Sequence, residues 1–168
     1  MIDEKEAFDI IYLDFKKAFD SVPHERLLIK LAAYGLSGNI LKWIRSFLSG
    51  RTQRVRVGSE KSGEAKVKSG IPQGSILGPV LFTVFINDLP DSLHSICKIF
   101  ADDTKIYDKS SNHLDIQDDL DRLLIWSDTW DMQFNASKFK VLHFGKNNPG
   151  LNYVLRSKKW RYGYRQLL

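Results

Sequence analysis

The chain has 168 residues, of which 43% are hydrophobic and 12% aromatic, and its formal net charge at pH 7 is +5. This composition predicts one globular domain with a sizeable core. No apolar run approaches the roughly 20 residues of a membrane helix and no signal peptide opens the chain, so we expect neither a membrane protein nor a secreted one. One cysteine and four histidines without ligand spacing argue against disulfide and zinc chemistry.

The positive charge is concentrated near the C-terminal end. Five basic residues and no acidic one lie in residues 151–168, which leaves 20 basic against 20 acidic residues elsewhere. Residues 42–68 contain eight Lys or Arg against two Glu, whereas residues 101–131 contain nine Asp against three basic residues. A basic strip beside an acidic centre is typical of a protein that binds phosphates and a cation, although ordinary solvated surfaces produce the same pattern.

The first part of the chain predicts a strand followed by two helices. Residues 8–13 are mostly apolar and favour β structure, which indicates a central strand with Asp14 at its C-terminal end. Pro23 suits the first turn of a helix with a leucine stripe. Ser37 is a candidate cap for a second helix, which ends at Gly50.

A basic segment follows the second helix. Cationic and apolar residues alternate over residues 53–69, which predicts a two-stranded hairpin with one cationic face formed by Arg54, Arg56, Lys66 and Lys68. Such a face could lie along a nucleic-acid backbone, where bound phosphates release their counterions. An exposed edge hairpin that its charges protect from aggregation is the alternative.

The next segment is a glycine-rich loop, residues 69–79, followed by an apolar helix predicted over residues 80–89 and ended by Pro90. A helix that is apolar all round is expected to be buried. Three glycines and two prolines shape the loop so that a flat ligand can approach its backbone, and Gln73 offers both a donor and an acceptor there.

Two adjacent aspartates, Asp102 and Asp103, lie between segments that predict the two strands of a hairpin, so their carboxylates fall at the turn. A second pair at residues 118–119 is expected on the solvated face of a helix. Residues 132–144 predict a turn and a strand, with Lys138 and Lys140 near the edge of the sheet.

Four segments taken together resemble the successive palm motifs of reverse transcriptases, most closely those of non-long-terminal-repeat (LINE or jockey-like) retrotransposons. These are Tyr12–Val22, Gly70–Pro79, Phe100–Asp103 and Phe134–Lys138. The resemblance covers about residues 8–146. It implies an α+β polymerase palm, a ferredoxin-like β-α-β-β-α-β antiparallel sheet with helices on one face, part of the fingers and no thumb. We therefore expect a palm domain over residues 1–146 and a basic, aromatic tail over residues 147–168.

The resemblance also implies an RNA-directed DNA polymerase that transfers a nucleotide from a deoxynucleoside triphosphate to the 3′-hydroxyl of a DNA primer on an RNA template. Two Mg²⁺ ions, or Mn²⁺ in their place, would assist this transfer. By the same analogy Asp14 and Asp102 bridge both ions and Asp103 supports the site. The Phe15 carbonyl would bind the ion on the triphosphate.

The remaining motif residues carry implied roles in nucleotide selection. Phe19 would lie beneath the incoming sugar and exclude a ribose 2′-hydroxyl, although a core phenylalanine is its alternative. Gln73 and Gly74 align with residues that contact the incoming nucleotide and the template. Lys138 matches the lysine that protonates leaving pyrophosphate, with the lysine two residues later as a rival. Asp20 also fits the motif pattern, without a role of its own.

Some parts of the family pattern are missing. The chain begins near the first palm strand and ends where a thumb would follow, and residues from 151 onward do not match the expected pattern, so we expect a piece of a polymerase. A truncated relic that at most binds nucleic acid, through the basic hairpin and the tail, is one alternative. An RNA-directed RNA polymerase is another, against which Phe19 argues. The family implies a location in the nucleus or the cytoplasm.

Overall fold

A computed structural model describes residues 6–155 of the chain. These residues divide into two compact units. The helical unit is Lys17–Ile86, and the sheet unit contains the described residues on either side, 6–16 and 87–155. The basic residues of the predicted tail, from position 156 onward, lie outside the described residues.

Residues 6–155 form eight β-strands, five α-helices and three 3₁₀ helices. The strands are β1 (Phe8–Asp14), β2 (Thr52–Gln53), β3 (Arg56–Val57), β4 (Glu60–Lys61), β5 (Ala65–Lys66), β6 (Ile96–Phe100), β7 (Asp103–Lys109) and β8 (Lys140–Phe144). The α-helices are α1 (Ala18–Ser21), α2 (His24–Ala33), α3 (Gly38–Leu48), α4 (Leu77–Ile86) and α5 (His113–Trp130). The 3₁₀ helices are Leu89–Ser92, Ser110–Asn112 and Ala136–Lys138. No helix within the described range is long and apolar enough to cross a membrane.

The sheet unit is built on a four-stranded antiparallel sheet in the order β6-β7-β1-β8. The predicted central position of β1 is confirmed, because β7 pairs with one of its edges and β8 with the other. Side chains alternate along a strand, and Ile11 and Leu13 are buried on one face. The combination of helices with an antiparallel sheet agrees with the predicted α+β class.

Helix α5 packs against β7 through a stripe of buried apolar side chains. Ile116, Leu120 and Leu123 recur at helical spacing and are fully buried. The expectation that both aspartates at 118–119 face solvent is wrong for Asp119, which is 0% exposed. Its carboxylate accepts the backbone N–H groups of His94 and Ser95 at 2.8 and 2.7 Å. Two backbone N–H donors and both oxygens of the Asp119 carboxylate are thereby paired, just before β6 begins.

The end of the described chain is packed into the sheet unit. Tyr153 and Leu155 are 4% and 6% exposed. The Gln117 side chain donates to the Val154 carbonyl at 2.9 Å and accepts the Val154 N–H at 3.0 Å, as a strand neighbour would. The domain boundary expected at residue 146 stays a prediction, while the described residues beyond it, 147–155, contribute to this core.

The helical unit contains α1 to α4 around the buried side chains of Leu27, Leu48, Phe82 and Phe85. The predicted apolar helix begins and ends three residues earlier than expected, at Leu77 and Ile86. Pro79 lies within its first turn, where the missing N–H removes no helical hydrogen bond. The expectation of complete burial is wrong, because Val80 is 54% exposed.

The basic segment of the helical unit forms an interrupted antiparallel ribbon. Strand β2 pairs with β5 and β3 pairs with β4, with two residues between β2 and β3 but three between β4 and β5. The extra residue makes a bulge in the second arm. Every residue from 52 to 66 is exposed, including Val55 and Val57. The ribbon therefore has no buried face opposite its basic residues.

Candidate active site

Two of the predicted acidic residues lie opposite one another at one end of the sheet. Asp14 ends β1 and Asp103 begins β7, and the two residues are register partners in the antiparallel pairing. They are 89 positions apart in the sequence, so the strand pairing alone brings them together. Asp102 is the neighbouring turn residue and is half-buried, whereas Asp14 is 6% exposed and Asp103 is exposed.

A two-residue turn connects β6 to β7. Phe100 pairs with Asp103, which leaves Ala101 and Asp102 as the turn residues. Ala101 has φ 53°, in the left-handed region that usually favours glycine. A positive φ at the first turn residue matches the right-handed twist of a hairpin. The prediction that the carboxylates lie at a hairpin turn is confirmed for Asp102, while Asp103 is already the first strand residue.

The segment that contains Lys138 is held against the end of β1 by backbone contacts. Phe15 and Phe134 form an antiparallel bridge, and their rings stack with centroids 4.7 Å apart. The Asn135 N–H donates to the Asp14 carbonyl at 2.6 Å, and the Lys16 N–H donates to the Gln133 carbonyl at 2.8 Å. The Phe15 side chain is buried, at 2% exposed.

Lys138 forms an ion pair with Asp14. The Lys138 ammonium donates to Asp14 Oδ2, although 124 residues separate the two in sequence. The hydrogen bond and the charge of Asp14 raise the pKa of Lys138 above its usual value, and the charges of Asp102 and Asp103 act in the same direction. One cation therefore lies within the field of three carboxylates.

The donor set is compatible with a hard divalent cation. Asp14 Oδ1 is buried and has no hydrogen-bond partner, an orphan acceptor of the kind that a metal ion satisfies. Carboxylate oxygens are also the ligands that Mg²⁺ prefers. Within residues 6–155, no three or more His, Cys, Asp or Glu side chains are grouped closely enough to hold a metal ion as they stand. The Lys138 ammonium occupies the outer oxygen of Asp14 instead.

The residues predicted to contact the nucleotide belong to the helical unit. Phe19 lies in α1, is half-buried, and stacks on Phe82 with ring centroids 4.5 Å apart. Gln73 and Gly74 are exposed in the loop before α4. The Gln73 amide donates to Asp20 Oδ1 at 3.0 Å. Gly74 has φ +79°, so the loop uses a conformation that L side chains rarely adopt.

The four predicted nucleic-acid contacts lie on or next to the ribbon of the helical unit. Arg54 pairs with Glu64 at 2.8 Å, and hydrogen bonds from Thr52 and then Arg54 lower the pKa of that Glu. Arg56 Nε donates to the Gly58 carbonyl at 2.9 Å. The remaining two, Lys66 and Lys68, are exposed.

Two residues near the glycine-rich loop were missed by sequence reasoning. Arg51 Nη2 and His24 Nε2 lie 2.5 and 2.8 Å from the Gly70 carbonyl oxygen. Arg51 is also partly desolvated, which lowers its pKa. Neither residue stands in a motif or at a recognisable spacing, so no signal in the sequence pointed to them.

Comparison with known proteins gives a family match over nearly the whole chain. The family model described as "Reverse transcriptase (RNA-dependent DNA polymerase)" matches residues 3–164. The chain is 32% identical over 181 residues to the "RNA-directed DNA polymerase from mobile element jockey" of Drosophila melanogaster, which covers 99% of this chain and 20% of that protein. It is 36% identical over 145 residues to the "Probable RNA-directed DNA polymerase from transposon X-element" of the same species. This match covers 81% of this chain and 16% of that protein. The chain thus spans about a fifth of the length of these curated relatives.

The fold is also similar to that of solved structures. An apo telomerase from Candida tropicalis, truncated from its C-terminal domain, superposes with a TM-score of 0.66 at 14% sequence identity. The match covers 85% of this chain and 32% of that chain. Telomerase from the same species in complex with a fragment of telomeric RNA gives a TM-score of 0.63 at 13% identity. At these identities the likeness concerns the fold alone.

Proposed function

Because this chain belongs to the reverse transcriptase (RNA-dependent DNA polymerase) family, we propose that it is the palm part of a retrotransposon polymerase that extends a DNA primer on an RNA template. As part of this proposal, the finer topology is a ferredoxin-like β-α-β-β-α-β palm together with part of the fingers. The observation that carries the proposal is the register pairing of Asp14 with Asp103 beside Lys138, since it joins three separate family motifs at one end of the sheet.

Asp14, Asp102 and Asp103 are the residues that would hold divalent cations, Mg²⁺ or Mn²⁺, with the Phe15 carbonyl as a further ligand. Two such ions, when bound, would lower the pKa of the primer 3′-hydroxyl and stabilise charge on the triphosphate and the leaving oxygen. The buried Oδ1 of Asp14, which has no hydrogen-bond partner, supports the assignment of Asp14 as a cation ligand. Like charges at this site repel one another unless cations balance them, which gives the carboxylates their affinity for metal.

Lys138 is proposed as the residue that gives a proton to pyrophosphate as it leaves. A lysine ammonium is protonated at neutral pH, so its proton is available when the leaving oxygen gains charge. The short 3₁₀ helix Ala136–Lys138 and the capping bond from the Ser137 N–H to Asn135 Oδ1, at 3.2 Å, define the backbone position of this lysine. In the same proposal, the ion pair with Asp14 is the resting arrangement of the lysine.

Nucleotide selection is assigned to the helical unit. Phe19 would exclude a ribose 2′-hydroxyl, because its ring is stacked on the buried Phe82 and has little freedom to move away. Gln73 and Gly74 would contact the incoming deoxynucleoside triphosphate and the template strand. An exposed amide beside a glycine offers both hydrogen-bonding groups and close access to backbone.

The basic residues of the ribbon are proposed as contacts to the phosphates of RNA or DNA. Arg54, Arg56, Lys66 and Lys68 gain affinity for a nucleic acid by releasing counterions, a term that does not depend on sequence. Their exposure supports this role. Both side chains of the Arg54–Glu64 ion pair are exposed, so exchanging Glu64 for a phosphate costs Arg54 little free energy.

Incorporation of dTTP on a poly(rA) template with an oligo(dT) primer tests the proposal, in the full-length protein that carries this chain. Asp102→Asn and Asp103→Asn should each abolish incorporation. Asp121→Asn, which neutralises an exposed aspartate on α5, is the matched control and should retain it. Incorporation that survives both active-site changes would overturn the proposal. Salt-dependent RNA binding without incorporation would favour the inactive relic, and preference for ribonucleotides an RNA polymerase.

A further inference from the structure

The loop of residues 69–73 is docked on residues 19–22 within the helical unit. The Ile71 N–H donates to the Phe19 carbonyl at 2.8 Å, and the Gly70 N–H donates to the Val22 carbonyl at 2.8 Å. The Ser69 hydroxyl donates to the Asp20 carbonyl at 2.9 Å. Three hydrogen bonds over three successive loop residues fix the backbone of one segment relative to the other.

Gly70 makes this docking close. It has φ +88°, and a Cβ at this position would lie 2.7 Å from the Asp20 backbone, so a larger residue would force the two segments apart. The carbonyl oxygen of Gly70 lies within hydrogen-bonding distance of Arg51 Nη2 and His24 Nε2, at 2.5 and 2.8 Å. Arg51 Nε also donates to the Leu48 carbonyl at 2.9 Å, which ties this arginine to the end of α3. The loop is therefore anchored both to residues 19–22 and to Arg51 and His24.

The anchored backbone brings the Gln73 amide to the Asp20 carboxylate. Gln73 Nε2 donates to Asp20 Oδ1 at 3.0 Å. A glutamine amide that lacks a defined partner exchanges its oxygen and nitrogen positions at little cost. A carboxylate only accepts hydrogen bonds, so it selects the orientation with Nε2 toward Asp20. A charged acceptor also makes this bond stronger than one between neutral groups.

We propose that Asp20 is a positioning residue for Gln73, which presents Gln73 Oε1 and its second amide hydrogen to the incoming deoxynucleoside triphosphate in one fixed orientation. The inference rests on the proposed function, because that function assigns the nucleotide contact to Gln73. It adds a role for Asp20, which fits the first family motif but had no role of its own. Asp20 acts through Gln73 and does not itself touch the nucleotide.

This role has a specific kinetic consequence. An amide of fixed orientation loses less conformational freedom when the nucleotide binds, so the benefit appears in nucleotide binding. Loss of the carboxylate should raise KM for dTTP about tenfold, the size expected for a hydrogen bond to a charged group, and should leave kcat within about twofold. Asp20→Asn retains the shape of the side chain and offers a neutral acceptor, so it should raise KM less than Asp20→Ala does.

A double-mutant cycle of Asp20→Ala and Gln73→Ala separates positioning from an independent contribution. If Asp20 acts only through Gln73, the double variant has the KM of Gln73→Ala alone. Glu25→Gln is the control: it removes another exposed carboxylate of the helical unit, whose partner is Arg45 at 2.5 Å, and it should leave KM unchanged. Additive effects on KM, or a fall in kcat with KM unchanged, would overturn the inference.

The orientation itself can be measured without catalysis. In ¹H–¹⁵N spectra of the 168-residue chain, the Gln73 Nε2 proton that is bonded to Asp20 should be shifted from its free-glutamine position, and it should return to that position in Asp20→Ala. Gln53, exposed in β2, supplies the unpositioned reference amide. A Gln73 amide with free-glutamine shifts in the unmodified chain would overturn the positioning role. A protein that shows the expected shifts but incorporates no nucleotide would instead contradict the proposed function.

Discussion

The Tyr153 hydroxyl donates a 2.5 Å hydrogen bond to Asp9 Oδ2, which connects the end of the described chain to the central strand of the sheet. Asp9 is fully buried, and its other oxygen accepts from Asn148 Nδ2 at 2.8 Å and lies 2.7 Å from His143 Nδ1. Burial, followed by the bond to Asp9, raises the pKa of Tyr153 well above its ordinary value. A buried carboxylate is tolerated here because three side chains pair with it.

Tyr153→Phe should destabilise the chain by about 1.5–3 kcal/mol, because it removes a buried donor to a charged acceptor and leaves that acceptor short of a partner. Urea unfolding followed by circular dichroism measures this difference. Tyr107→Phe removes a hydroxyl from a half-buried tyrosine of the same sheet and serves as the control. A loss below about 0.5 kcal/mol, the size of an ordinary surface substitution, would contradict the role assigned to Tyr153.

Asp119→Asn should cost about 2–3 kcal/mol of stability, because an amide cannot accept both N–H groups of residues 94 and 95 as the carboxylate does. The neighbouring Asp118→Asn is the matched control. Its carboxylate is exposed and pairs with Arg122 at 2.6 Å, so its loss should cost less than about 1 kcal/mol. Equal effects of the two substitutions in thermal unfolding would show that the burial of Asp119 contributes nothing.

The thiol of Cys97 should react slowly while the chain is folded. Burial and the nearby charge of Asp119 raise the pKa of Cys97 to about 11 from an ordinary value of 9.0. A thiol with a raised pKa binds its proton more tightly in the folded state, so its contribution to stability is present below pH 9 and is lost as the pH rises toward 11. At pH 9 a thiol-specific reagent should modify the folded chain at least about tenfold more slowly than the chain in denaturant, since the thiolate is the nucleophile. Equal rates would contradict this prediction.

Lys138→Met should lower kcat for dTTP incorporation about 100-fold in the full-length protein, the lower end of what a positioned general acid contributes. Lys140→Met is the natural comparison, since Lys140 lies two residues later. It begins β8 and pairs with Tyr12 of β1. That variant should retain kcat within about threefold, as expected of a surface lysine. The opposite pattern would move the assignment from Lys138 to Lys140.

Phe19→Ala should relax sugar selection, because the ring that would collide with a ribose 2′-hydroxyl is removed. The ratio of kcat/KM for dTTP to that for UTP should fall at least about tenfold, which is the scale of steric discrimination in a binding pocket. Phe47→Ala removes another ring of the helical unit, stacked on Trp43 at 5.7 Å, and should leave the ratio unchanged. If Phe19→Ala discriminates against UTP as strongly as the unmodified protein does, Phe19 does not select the sugar.

Much of the secondary structure was predictable from local patterns. The strand that ends at Asp14, the turn at Asp102 and the long helix after residue 112 follow from alternation, turn residues and helical spacing. These signals are local, and each depends on a few neighbouring positions. The order of the four motifs likewise identified the family, which the match over residues 3–164 bears out.

Other features depend on tertiary packing. Periodicity placed residues 118 and 119 on one polar face, yet packing against the start of β6 buries Asp119 and leaves Asp118 exposed. The anchoring of Gly70 by Arg51 depends on a loop that folds back onto an arginine 19 residues earlier. No local pattern encodes such a contact, since its energy arises only when the segments meet.

The sequence by itself determined which residues carry charge, which segments favour strands or helices, and the family to which the chain belongs. Only the tertiary structure decided that Asp14 and Asp103 share one register, that Lys138 pairs with Asp14, and that Asp20 meets Gln73. The physical reason is that propensity and periodicity act over a few residues. The pairing of distant side chains follows instead from the burial of apolar faces and the satisfaction of backbone hydrogen bonds across the whole fold.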